Sequence, residues 1–175
     1  MDIRALLYDE HSKKQALKIC EGIISGEASL SVLLNLLYTG EMRMRQRASW
    51  PLEFVAQREE TLLYPHMSDI VGYLQTSQED SLLRNLYRSL QHMRFAEEQI
   101  GDVYEVSFAH LADPQSAVAI RVFAMTTCTN IAHVYPELAH ELIPTIEEQY
   151  DTSTAGYRAR ANKELKRLAK LVRMG

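Results

Sequence analysis

The sequence is poor in the residues that mark most enzymes and secreted domains. It has two cysteines, Cys20 and Cys128, 108 positions apart and without a CxxC pair. That excludes a zinc ribbon and a disulfide framework. Seven glycines and five prolines in 175 residues are too few for the tight turns of an all-β protein. No GxG occurs, so the chain lacks a phosphate-cradling loop and a dinucleotide fingerprint. GxSxG, SxxK and HExxH are missing as well. No stretch approaches 18 uncharged apolar residues, so no membrane span is expected. The opening MDIRALLYDEHSKK has no long apolar core, so no signal peptide and a cytoplasmic location are expected.

What is present is ordinary for a globular protein: 46% apolar and 24% charged residues, 19 Lys plus Arg against 23 Asp plus Glu, and a net charge of −4. A chain of this length buries roughly 70% of its unfolded surface without metals or disulfides. Apolar residues recur at three and four positions almost throughout, the period of helices. A helix is expected from about Ser12 to Ile24, ended by Gly26, and another from Ala28 to Tyr38. A long segment follows from Glu41 to about Thr61, kinked or restarted at Pro51. Further helices fit 66–75, 80–95, 100–111, 115–134, 137–149 and 155–172. In the last of these, Leu165, Leu168, Ala169 and Val172 are expected to pack inward. Lys163, Lys166, Lys170 and Arg173 are expected to face water.

A repeat underlies this pattern. Arg47, Arg84, Arg121 and Arg158 follow one another at intervals of 37 residues, each just after a short polar turn. Tyr64-Pro65 and Tyr135-Pro136 echo at 71 residues, about twice that unit. In LADPQSAVAIRVFAMTTCTNIA and ELIPTIEEQYDTSTAGYRARANKELKRLAK an apolar helix leads to a turn Asp (Asp113, Asp151). An apolar residue then precedes Arg (Ile120, Tyr157), and a small residue stands three further on (Ala124, Ala161).

In these segments the chain resembles the HEAT-repeat family of α-solenoids, over about 28–172. The two earlier units keep the Arg but carry Trp50 and Tyr87 where the small residue should be. The resemblance implies an all-α, right-handed solenoid of about four helix pairs (27–62, 63–95, 96–134, 135–175). Residues 1–26 form an N-terminal capping helix in this reading, all in one structural domain. One helix pair cannot bury both its apolar faces, so stacked pairs share a continuous core. Arg47, Arg121, Arg158, Asp113 and Asp151 then form a structural ladder at the turns, with an Arg–Asp contact expected.

Charge separates by helix. The first helices of the units carry no Lys or Arg, whereas the second helices and their ends carry 15 of the 19 basic residues. In HEAT-like stacks the second helices usually line the concave surface, so the resemblance implies a basic inner face. Arg43, Arg45, Arg84 and Arg88 are the candidate partner-binding residues; Arg43, Arg45 and Arg88 stand outside the repeat phase. Arg84 and Arg88 are one turn apart and share a helix face. Such a run is either a solvated helix face or a surface that concentrates acidic ligands. Trp50, Phe54, Tyr87 and Phe95 fit the core by spacing, and Trp50 and Tyr87 could also stack on a partner.

Glu137-x-x-His140, with His133 and Glu141 nearby, matches half of a di-iron carboxylate signature, but no second ExxH exists. No metal and no cofactor are expected. Two functions remain. One is a non-enzymatic adaptor that binds an acidic protein or peptide. The other is a nucleic-acid binder resembling the HEAT-like alkylpurine DNA glycosylases, with Asp80, Tyr87 and Trp50 a poor substitute for their site.

Overall fold

The computed structural model describes residues 1–174. Among these residues there are ten α-helices, two 3-10 segments and no strand. They fall into two compact units: Met1–Ile70 with Ser77–Met93, and Val71–Thr76 with the chain from Arg94 onward.

In the first unit, α1 (Ile3–Asp9) is capped by Asp2, whose carboxylate accepts from the Ala5 amide at 3.0 Å. Residues 1–26 therefore hold two helices where the periodicity indicated one. The seven residues of α1 are too few for a helical period to reveal. Ser12 starts α2 (Lys13–Ile24) by accepting from the Gln15 amide at 3.1 Å. Gly26 ends it with φ of +80°, the left-handed conformation that glycine adopts without steric cost.

α3 (Leu30–Thr39) and α4 (Met42–Arg58) follow. A 3-10 segment at Glu60–His66 then leads through α5 (Met67–Thr76) to α6 (Asp80–Leu90). α4 is the centre of the first unit and packs against α2, α3 and α6. Its buried Met44, Ala48, Leu52, Val55 and Ala56 form a helical stripe. Of the two expected outcomes at Pro51, a kink or a fresh start, the helix does not restart: α4 is continuous from Met42 to Arg58 with Pro51 inside it. Proline removes the bond to the carbonyl four residues back and crowds that carbonyl with its ring, a cost that tertiary packing has to offset. The core contacts of Ala48 before it and Leu52 and Val55 after it hold the two halves as one helix. α6 buries Leu82, Leu83, Leu86, Tyr87 and Leu90. It ends at Leu90, short of the expected residue 95. Tyr87 is core, with no exposed face for stacking.

The second unit contains α7 (Glu97–Ala112), α8 (Val118–Ala132), a 3-10 turn at Pro136–Leu138, α9 (Ala139–Glu148) and α10 (Ala155–Met174). Here α8 is central and packs on α7, α9 and α10. Its buried face carries Ile120, Ala124, Met125, Cys128, Ile131 and Ala132. The small Ala124 and, on α10, Ala161 are both fully buried, which suits close helix approach.

The buried stripe of α10 is Tyr157, Ala161, Glu164 and Leu168. This corrects the expected inward face: Leu168 is buried, but Leu165 and Ala169 are half-buried and Val172 is exposed. The cause is a polar seam that turns the helix. Fully buried Glu164 accepts from Thr126 at 3.0 Å and from Arg167 at 2.6 Å. Arg167 also donates to Asn130 at 2.8 Å. A buried carboxylate persists only when hydrogen-bonded in this way. Lys163, Lys166, Lys170 and Arg173 are exposed.

Candidate functional site

Three arginines at the starts of second helices make the same local bond. Arg45 Nε donates to the Gly40 carbonyl at 2.6 Å, and Arg121 Nε to the Ser116 carbonyl at 3.0 Å. Arg158 donates to the Ser153 carbonyl at 2.5 Å. Each reaches back five residues to the turn that precedes its helix. Arg47 reaches elsewhere, to the carbonyls of Leu7 at 2.5 Å and Tyr8 at 3.0 Å.

The expected Arg121–Asp113 contact is replaced by another arrangement. Asp113 folds back on its own turn, accepting from the Gln115 amide at 2.9 Å and from Ser116 Oγ at 3.1 Å. The backbone bond from Gln115 holds its carboxyl below the usual aspartate value. Arg121 is buried and donates to Gln149 Oε1 at 2.5 Å, with its guanidinium 5.3 Å from the Tyr157 ring centroid. Gln149 in turn donates to the Leu111 carbonyl at 2.8 Å. Asp151 is exposed. The sequence carried no signal for Gln149, because a glutamine is unremarkable until its burial is known.

The arginines of α4 and α6 divide into tied and untied. Arg45 pairs with Glu79. Arg88 lies 2.7 Å from Glu53, which also lies 3.4 Å from His92. The Glu53 side chain is only 12% exposed. Burial pushes its carboxyl up, but the hydrogen bond from His92 and the charge of Arg88 together hold it below the ordinary glutamate value. Arg43 and Arg84 are exposed, and among the described residues neither makes a hydrogen bond or ion pair. Arg94 lies past the end of α6, in the loop that leads to α7.

Between α4 and α6 lies an open pocket of about 330 Å³ lined by His11, Gln46, Ser49, Trp50, Arg84, Asn85 and Arg88. Half-buried Trp50 stacks on Phe54, with centroids 6.4 Å apart. The His11 ring meets Trp50 edge-on at 5.3 Å. Ser49 Oγ donates to the Gln46 carbonyl at 2.7 Å. Asn85 is 4% exposed, and its Nδ2 has no hydrogen-bond partner among the described residues. Sequence reasoning singled out Arg84, Arg88 and Trp50 and missed Asn85. An Asn amid leucines was the available signal.

The weaker chemical candidates do not gather. Glu141 accepts from Tyr104 at 2.6 Å, and burial with this bond pushes the tyrosine hydroxyl up. Among the described residues no group of three or more His, Cys, Asp or Glu side chains is placed to hold a metal. Cys20 and Cys128 are buried, and burial raises both thiols, away from the thiolate that nucleophilic chemistry needs.

Paired helices, three of whose second members are tied by an arginine to the turn before them, define an all-α repeat protein of the solenoid class. The HEAT repeat domain model matches residues 3–167, and the chain belongs to the HEAT-repeat family. The match begins within residues 1–26, so α1 and α2 fall inside the family pattern. A crystal structure of an engineered protein from the Northeast Structural Genomics Consortium is similar in fold. The TM-score is 0.64 with 13% identity, covering 97% of this chain and 80% of that one. At that identity the likeness concerns the fold alone. No curated protein matches the sequence. HEAT repeats generally mediate protein–protein interaction and are generally non-enzymatic. No described helix is long and apolar enough to cross a membrane.

Proposed function

We propose that the chain is a non-catalytic interaction module that binds an acidic segment of a partner protein on the basic face of α4 and α6. The observation that carries this reading is Arg84, an exposed guanidinium untied among the described residues, beside the 40%-exposed Arg88. Exposed Arg43 adds a third cation on α4. A guanidinium binds carboxylates in bidentate fashion, and an unpaired one loses no existing bond when a ligand arrives. Structural arginines look different in this molecule: Arg121 and Arg158 are both bonded to carbonyls.

Nucleic-acid binding is the competing reading. The net charge of −4 opposes it, because affinity for duplex DNA grows with the number of phosphates neutralised. Fluorescence anisotropy with a labelled oligoglutamate peptide and a labelled generic duplex separates the two. The peptide should bind, and added salt should weaken it. Arg43→Glu with Arg84→Glu should abolish binding without changing the melting temperature. Tighter binding of the duplex, with a steep salt dependence, would replace this reading by the nucleic-acid one.

A further inference from the structure

We infer that the pocket between α4 and α6 is an anchor for one carboxylate side chain of the partner; this rests on the reading of the α4–α6 face as the binding surface. Four observations converge there. The walls are rich in donors: Arg84, Arg88, Asn85, Gln46 and His11 all line the space. Arg84 is untied among the described residues. Asn85 is a buried side-chain amide whose Nδ2 has no partner among them. Trp50 supplies a flat wall, held by Phe54 and His11, against which the methylenes of a Glu or Asp side chain can lie.

The charge balance selects the ligand. Arg84 and Arg88 bring two positive charges, and Glu53, paired with Arg88, removes one. A single positive charge remains, which one carboxylate neutralises. A phosphate dianion would leave the site negative and set its second charge against Glu53. The volume of about 330 Å³ is ample for one acidic side chain with part of its backbone.

Asn85 gives the site a signature that a structural residue would not show. A buried amide without a partner destabilises the protein that carries it. Replacing it with leucine of similar size should therefore stabilise the fold while removing a donor from the site. Binding sites hold polar groups that the free protein leaves unsatisfied, and they lose function when these are made apolar.

The test uses the chain's one tryptophan, Trp50, as a reporter inside the pocket. The full chain is titrated at constant ionic strength with N-acetylglutamate α-amide, its glutamine counterpart and inorganic phosphate. The glutamate compound should shift Trp50 emission saturably, the glutamine compound should not, and phosphate should bind no more tightly than the carboxylate. Arg84→Gln and Asn85→Leu should each weaken binding about tenfold, the worth of one charged hydrogen bond, while Lys170→Gln should not. Asn85→Leu should also raise the melting temperature. Equal responses to the glutamate and glutamine compounds, or tighter phosphate binding, would overturn the carboxylate assignment. So would an Asn85→Leu protein that melts lower and binds as before; should that variant not fold, Arg84→Gln decides alone. An oligoglutamate peptide that binds while Trp50 emission stays constant would overturn the pocket and leave the surface reading standing. A peptide that does not bind would remove the surface reading itself.

Discussion

The Arg121 guanidinium donates to the side-chain carbonyl of Gln149 at 2.5 Å, so a neutral amide receives a buried cation. Gln149 is itself buried and bonded through its other end to Leu111. The pair joins α8 to the end of α9, across the turn where a carboxylate was expected.

Losing this pair should weaken the fold. Arg121→Ala leaves the Gln149 oxygen buried without its donor, at a cost of about 1–3 kcal/mol. A protein of this size melts roughly 2–4 °C lower for each kcal/mol lost. Asp113→Asn should lower the melting temperature much less, because Asp113 does not bear on Arg121. A thermal-denaturation comparison of the two variants checks the order. The reverse order would restore the Asp113 ladder.

Arg84 and Arg88 share a helix face and differ in role. Arg84→Glu should leave the melting temperature nearly unchanged, as exposed substitutions do. Arg88→Glu places a second carboxylate against buried Glu53 and should cost on the order of 1–2 kcal/mol, discounted for the partial exposure of Arg88. Chemical denaturation of both variants measures the difference.

Glu53 predicts an acid limb of stability. Its carboxyl is held below the ordinary glutamate value in the folded state. Its contribution is therefore complete above the unfolded value and is lost as pH falls through the lowered folded value. Melting temperature should drop across that acidic window, and Glu53→Gln should flatten this part of the profile. An unchanged acid limb in the variant would assign the loss to other carboxylates.

Gly26 has φ of +80°, and a Cβ at this position would meet no atom of the described residues within 4 Å. Gly26→Ala should therefore cost about 1 kcal/mol through backbone strain alone. A calorimetric melt reads it directly.

The helical plan was legible because period and punctuation agreed. Ser12 and Gly26 bracket α2, and the 37-residue spacing marks the starts of second helices. Short α1 was hidden by its length, and the end of α6 by the continuing run Gln91–Phe95. At Pro51 the helix did not restart, because local propensity gave way to tertiary packing. Of the candidate surface, Arg84 and Arg88 were readable from one-turn spacing. Their different fates were not, since the partner that ties Arg88 stands 35 positions away at Glu53. Such pairings are set by how helices pack, which a linear pattern does not record.

The bonds of Arg45, Arg121 and Arg158 to carbonyls five residues back have a kinetic consequence. Each closes a very short loop, so its entropy cost is small and it forms without waiting for distant chain to arrive. Folding can then begin at any of these turns and spread outward. A substitution at one of them should slow refolding locally while leaving the rest of the chain free to start elsewhere.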